Sequence, residues 1–509
     1  MDKHEINKLL EDGLLAYRHG NKDLALKQFK KAIKKSPNEY LPYRFLATTE
    51  YDLGRAEDAI DHLNKAIRLA PEGESGPLED LSLIKMQLGR QEEAESILQK
   101  AILVNPNSLD AHLRLGASLI TCGRASEAIA IYTKALEIGP KNFQALYGLS
   151  HAYLENSNFK EAISTATQAL EAREEDPATL TILGVAHYQK ENYSEAKRYL
   201  SQSVALNGTD QNTLVHLGRT ELKLENFDQA IAIFEDASKH AVNSSILFSQ
   251  LANALSASGK PAEAVEVCDQ YLKTHPLSAS LMQVKACALR DLHKFDESEQ
   301  ILGQVDLVIA KHIEKPHRYQ SLADFNLQLE KMIYEHPTYS RSHSNRATRN
   351  GLQTGSLMVD PSPIMREFIL LINKEVKERI KALKNSKHAS HPWVANAPND
   401  WDMNSWAIVL SNQGHQLSHI HPEAWLSGVY YVKIPKNIVT DNYQGWIEFG
   451  EVTDQLYHEQ KPPPRLIKPE EGMMVTFPSH SFHKVRQFES NEPRISISFD
   501  LFVKQKNEQ

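Results

Sequence analysis

Residues 54–71, GRAEDAIDHLNKAIRLAP, hold the pattern from which the N-terminal part of the chain is built. A small residue, Ala59, follows an acidic pair, and four residues on stands a large apolar one, Leu63. Another small residue, Ala47, lies twelve positions earlier, and Pro71 closes the unit. The same phrase returns along the chain. Its small residue is successively Ala25, Ala59, Ala94, Ala128, Ala162, Ala196, Ala230, Ala264 and Ser298, spaced 34 residues apart except for one step of 35 at PEGESG (71–76). Four residues on come Phe29, Leu63, Leu98, Tyr132, Ala166, Leu200, Phe234, Cys268 and Leu302. Gly13, Ala47, Gly116, Gly184 and Gly218 take the earlier small position, and Pro37, Pro71, Pro106, Pro140 and Pro276 close their units.

The physical logic is that of a helix–turn–helix. Small residues let two helix backbones approach, the large residue fills the groove beside them, and proline ends the second helix. One such unit cannot bury its apolar face alone, so units must stack into a solenoid. This pattern resembles the tetratricopeptide repeat, with about nine copies in register. The resemblance implies an all-α superhelix with a concave groove that binds a peptide or protein. A spacer or assembly arm is the alternative use of the same shape.

Bulk composition is that of an ordinary globular protein: 41% hydrophobic, 24% charged and a net charge of −8 over 509 residues. That balance gives no reason to bind nucleic acid, and Lys-rich pieces such as KQFKKAIKK (27–35) read as solvated helix surface. Cys122, Cys268 and Cys287 lack metal or redox spacing, and the last two fall at helical core positions. With no apolar h-region at the N-terminus and no membrane-length apolar run, a cytoplasmic protein is expected. No Gly-rich phosphate loop or nucleophile elbow is present, and the carboxylates of DNYQGWIEFGE (441–451) have no acid/base spacing.

After Ser298 the period fails. The segment 306–325 reads as a linker or connecting helix through Pro316, separating a repeat domain at 1–305 from a second domain at 326–505. Helical patterns return at 325–337 and 364–386, with a polar, turn-rich stretch at 346–358. From about 404 the texture turns to short β-rich runs: SWAIVLS, WLSGVYYVKIP, GWIEFGEV, GMMVTFPS and RISISFDLFV. Such a succession, led in by helices, predicts a sandwich or barrel with supporting helices.

Within LSHIHPEAWLSGVYY (417–431), His419 and His421 are two apart, the spacing that places both on one face of a strand. His483 follows 62 residues after His421 in VTFPSHSFHKV, and Arg494 opens RISISFD eleven residues later. HIHPEAWLSGVYYV, FPSHSFHKV and RISISFD together resemble the iron(II)- and 2-oxoglutarate-dependent oxygenases of the prolyl-hydroxylase-like branch. The H-x-H-P…LSGVYY unit and GLQTGSL (351–357) resemble a bacterial and phage subgroup within it. The resemblance implies a double-stranded β-helix (jelly-roll) domain that uses Fe(II), 2-oxoglutarate and O2. It also implies His419, His421 and His483 as metal ligands. Arg494 would hold the far carboxylate of 2-oxoglutarate, with Tyr431 and Ser496 beside it. An apolar lining from Val475, Phe477 and the 426–432 strand would keep water out.

The residue types suit that chemistry. Iron(II) needs ligands on one face only, leaving positions for a bidentate cosubstrate and dioxygen. A guanidinium offers two parallel donors to a carboxylate and stays charged. One departure stands out: the superfamily's usual H-x-D/E is here H-x-H, and HPE also offers His421 with Glu423 as the pair. Three imidazoles would equally suit zinc. His415, His458 and His480 read first as packed residues, and His480, three before His483, is the nearest rival ligand. Arg465 and Arg486 read equally as substrate contacts or as exposed loop arginines.

The expected function is a 2-oxoglutarate-dependent dioxygenase that hydroxylates a side chain of a peptide or protein captured by the repeats. A scaffold with an inactive oxygenase-like domain, and a small-molecule oxygenase assembled through its repeats, are the alternatives. Oligomeric state is not legible.

Overall fold

The computed structural model describes residues 3–341, 347–439, 442–453 and 456–504, which fall into two compact units, Met1–Ala186 and His187–Gln509. Eighteen helices, from Lys3–Arg18 to Phe295–Leu302, follow one another in pairs among the described residues. All nine small residues of the repeat phrase, Ala25 through Ser298, are 0% exposed. The close packing is visible at the glycines twelve positions before them, which meet the large residue of the phrase. A Cβ on Gly116 would sit 2.6 Å from the Tyr132 ring, and one on Gly218 would sit 2.2 Å from the Phe234 ring. The aromatic four residues after the small position thus fills the space that a missing side chain leaves. Cys268 and Cys287 are buried free thiols within this packing, whereas Cys122 is exposed. No helix among the described residues is long and apolar enough to cross a membrane.

The turn inside each helix pair carries a second ruler that the apolar pattern hides. Gly20, Gly54, Gly89, Gly123, Ser157, Glu191, Glu225, Gly259 and His293 all have positive φ, again 34 apart with one step of 35. Four of these nine positions hold a residue with a Cβ, for which the left-handed region costs roughly 1 kcal/mol. Glu191 and Glu225 have exposed side chains, so substitution removes strain and little contact. Glu191→Gly and Glu225→Gly are each expected to raise unfolding free energy by up to about 1 kcal/mol in denaturant titrations. An unchanged midpoint would show that the turn carries no strain.

Ten strands follow or flank the second domain's helices: β1 Ile309–His312, β2 Ser340–Arg341, β3 Thr348–Gln353, β4 Trp401–His419, β5 Leu426–Lys433, β6 Ile447–Phe449, β7 Arg465–Ile467, β8 Met473–Pro478, β9 His483–Val485 and β10 Arg494–Val503. Their order is β1-β8-β5-β10-β4-β9-β6-β7, with β3 laid on β4 and β2 on β3, and every pairing is antiparallel. The sheet curls into a near-barrel of jelly-roll kind. Within the stretch read from sequence as a linker or connecting helix, Ile309–His312 instead form an edge strand, Ile309 opposite Thr476. The β-branched pair Val308–Ile309 prefers that extended state.

β10 positions the site by its alternation. Ile495, Ile497, Phe499 and Leu501 face a core shared with the helices Leu322–Glu335 and Pro363–Lys384, where Phe325, Leu329, Phe368 and Ile372 are fully buried. The intervening Arg494, Ser496, Ser498 and Asp500 therefore face the other way, into the barrel. A period of two along one strand thus separates core from chemistry.

Candidate metal centre

β4 ends at His419 and β9 begins at His483, and the two residues are direct partners across the ladder. Their ring centroids are 4.3 Å apart. His421 lies just past the end of β4, so a turn rather than the pleat places it, its N–H donating to Ser479 O at 3.0 Å. Its ring lies 5.1 Å from that of His419 and 5.2 Å from that of His483. One ring nitrogen from each of the three lies within 4.8 Å of the others.

The tautomers follow from the partners. Carbonyl and carboxylate oxygens only accept, so each ring's Nδ1 must carry the proton. His419 Nδ1–H donates to Leu417 O at 2.8 Å, His483 Nδ1–H to Ser481 O at 3.0 Å, and His421 Nδ1–H to Asp500 Oδ2 at 2.7 Å. With Nδ1 engaged in each ring, Nε2 is the nitrogen left for a cation, the arrangement that prepares imidazoles for a metal. Burial, then the neighbouring His421 ring, pushes His419 down to about 4. Burial also holds His483 well below the usual imidazole range. Both are neutral at pH 7.

Asp500 is the residue that reading the sequence missed. It comes 79 residues after His421, but β10 pairs with β5 so that Asp500 lies opposite Ser427. Ser427 Oγ–H donates to Asp500 Oδ1 at 2.6 Å, which leaves Oδ2 for His421. The carboxylate that H-x-H lacks as a direct ligand is thus present one bond further out, where it raises the basicity of the imidazole. Asp500→Asn is expected to weaken Fe(II) or Co(II) affinity about 10-fold to 100-fold with little loss of fold. Unchanged affinity in a metal titration would reduce Asp500 to a packing role. The strand period that exposes Arg494 and Ser496 also exposes Asp500, and that was the available signal.

A cavity of about 190 Å³ opens beside the three rings, lined by Arg494, Ser498, Trp406, Val429 and Phe477 among others. Arg494 is 1% exposed, and among the described residues no carboxylate pairs with it. Its Nη1 donates to Ser496 Oγ at 3.4 Å, its guanidinium carbon lies 5.0 Å from the centre of the Tyr431 ring, and its Nε meets no acceptor. The Tyr431 hydroxyl has only the Arg494 guanidinium beside it and meets no other polar group among the described residues. Burial pushes that phenol up to about 12, and the nearby guanidinium draws it back. A desolvated cation without a counter-charge is unfavourable by several kcal/mol unless an anion comes to it. Val475 is buried in the cluster behind Phe477 and is not on the cavity wall.

The other histidines are engaged elsewhere. His480 is fully buried, its Nε2–H donating to Ile301 O at 2.9 Å. His415 and His458 bond to Gln413 O and Leu456 O. Glu423 is exposed and lies outside the three-histidine group. Arg465 turns to the carbonyls of Gln304 and Val305, and Arg486 donates to Glu448.

A family model described as "Putative 2OG-Fe(II) oxygenase" matches residues 404–500. Tetratricopeptide-repeat models match 10–74, 80–143, 216–279 and 119–184, and a model of anaphase-promoting complex (cyclosome) subunit 3 matches 155–237. None of the curated proteins matches. Among solved structures the chain is similar to YrrB, titled a TPR protein with an unusual peptide-binding site, at 19% identity over 36% of this chain and 95% of that one (TM-score 0.33). It is also similar to a tetratricopeptide repeat protein from Parabacteroides merdae, at 18% identity over 48% and 97% (TM-score 0.38). A third is the Cut9–Hcn1 hetero-tetramer, at 17% identity over 57% of each chain (TM-score 0.41).

Proposed function

We propose that this chain, an array of tetratricopeptide repeats followed by a domain of the 2OG-Fe(II) oxygenase family, is a dioxygenase that hydroxylates a side chain of a peptide or protein held by the repeats. The observation that carries the reading is Arg494, a buried cation with no carboxylate partner among the described residues, beside three imidazoles that share one spot. With dioxygen as the oxidant, Fe(II) in that spot would couple oxidation of 2-oxoglutarate to succinate and carbon dioxide with hydroxylation of a C–H bond, one oxygen atom going to succinate and the other to the substrate. His419, His421 and His483 would hold the metal and leave it positions for the cosubstrate and dioxygen. Arg494, braced by Ser496 and beside Tyr431, binds the far carboxylate and so orients the 2-oxo acid toward the metal. Phe477, Val429 and Trp406 exclude water from the cavity, which protects the oxidising step from being spent on solvent. The repeats add effective concentration for a macromolecular substrate that a small cavity alone would hold weakly.

The test is succinate release from 2-oxoglutarate by protein purified without oxygen and reloaded with Fe(II). Slow turnover without substrate, lost on chelation, is the expected result. No turnover and no binding of 2-oxoglutarate would favour a scaffold whose C-terminal domain is inactive, and metal uptake confined to Zn(II) would indicate non-oxidative use.

A further inference from the structure

The connection between β6 and β7, described at residues 450–453 and 456–464, is fastened in both stretches, and the two fastenings lie on different functional parts. At its start, Gly450 N–H donates to Phe482 O at 3.0 Å, next to His483. Ser418 Oγ–H donates to Glu451 O, next to His419, and Lys484 pairs with the Glu451 carboxylate. Further along, the segment lies on the first helices of the eighth and ninth repeats, Ser245–Ala257 and Ala279–Asp291. Tyr457 N–H donates to Asn253 Oδ1 at 2.6 Å. Glu459 N–H and Gln460 N–H donate to Asp291 Oδ1 at 2.9 and 3.1 Å. Arg290 Nε and Nη2 donate to the carbonyls of Gln460 and Lys461 at 3.2 and 3.1 Å. Val452 and Phe482 pack on Cys287, and Leu456 joins the same patch.

Five hydrogen bonds, all from repeat side chains to main-chain atoms, are the way a groove holds an extended peptide irrespective of its sequence. Asn253 and Cys287 occupy the same repeat position, 34 residues apart, so one stripe of the solenoid meets the segment in both repeats. A further tie reaches the β8–β9 turn, where Gln283 Nε2–H donates to His480 O, three residues before His483.

We infer that residues 450–453 and 456–464 are an internal ligand of the last two repeats, and that Asn253, Arg290 and Asp291 are positioning residues for the metal centre. The segment acts as a strap: Val452, packed on Cys287 beside the repeat-bound 456–461, fixes Gly450 and Glu451, which in turn brace the strands that carry His419 and His483. While the strap is docked, the first helices of these two repeats are closed to an outside peptide. This rests on the three histidines being the metal site, as proposed above.

The experiment uses the full chain with Asn253→Ala and Asp291→Ala combined, compared with Asn253→Asp, which keeps an acceptor oxygen. Co(II) is titrated by its visible spectrum, and amide exchange is followed across 456–464 and across the repeat helices. The double variant is expected to raise exchange in 456–464 at least 10-fold and the Co(II) Kd about 10-fold, the scale of indirect ligand support. Repeat helices should stay protected, and Asn253→Asp should remain near the native values. Unchanged exchange at 456–464 overturns the docking, and freed amides with an unchanged Co(II) Kd overturn the positioning role. A native chain that takes up no Co(II) sinks the metal reading, and the positioning role with it, while exchange still scores the docking.

Discussion

His483→Ala is expected to lower Fe(II) or Co(II) affinity by at least about 100-fold, more than the loss of any supporting residue, and to bring succinate release below detection. Two imidazoles would remain, and two neutral donors cannot define a facial site for a metal that must also bind a cosubstrate. His483 is the most informative of the three because its environment is the least able to compensate. It is 6% exposed, with the Phe477 ring centroid at 4.6 Å and the Phe449 centroid at 6.0 Å. The same burial means that truncation opens a small hole, which is expected to lower stability by about 1–3 kcal/mol. The control is His480→Ala, equally buried, which loses its bond to Ile301 O and should be destabilised by a similar amount. The two variants thus match in packing and differ in metal. If His480→Ala lost the metal while His483→Ala kept it, the third ligand would be misassigned.

How much of this was legible depended on whether the signal was local. The 34-residue phrase is written in every repeat, so helix pairs, closing prolines and the fully buried Ala25-to-Ser298 series follow from the sequence. The nine left-handed turns share the same ruler, yet only five hold glycine; Ser157, Glu191, Glu225 and His293 conceal the rest. In the second domain, the strand-forming runs around 404–503 were legible from composition, whereas the strand spacing of the H-x-H pair did not supply its geometry, because a turn places His421. What stayed hidden depends on register. Nothing near His421 indicates that Asp500 will arrive beside it, because that contact exists only once β10 pairs with both β4 and β5. The strap was hidden for a related reason: its hydrogen bonds go to main-chain atoms, which every residue has, so its own side chains need not advertise it.

Arg494→Leu is expected to separate cosubstrate binding from everything else the domain does. In the native protein the guanidinium sits against Tyr431 and Ser496 with Nε unsatisfied, a desolvated charge that only an arriving anion compensates. Truncating one partner of a buried, hydrogen-bonded charge pair costs about 2–5 kcal/mol. That corresponds to a rise of roughly 30-fold to several thousand-fold in the KM for 2-oxoglutarate. Co(II) affinity should hold within a few-fold, since no hydrogen bond links Arg494 to the three rings among the described residues. Without cosubstrate the sign reverses: an apolar side chain of similar volume removes the uncompensated charge, so the unliganded variant should unfold at higher denaturant than the native chain. Arg494→Lys keeps a charge but loses the planar fork, and should restore only part of the affinity. Measured together, lower cosubstrate affinity and higher unliganded stability would show a residue kept against the interest of the fold for what it binds. A KM left unchanged by Arg494→Leu would place the carboxylate elsewhere, and the cavity beside the three histidines would then have to be read without a dicarboxylate.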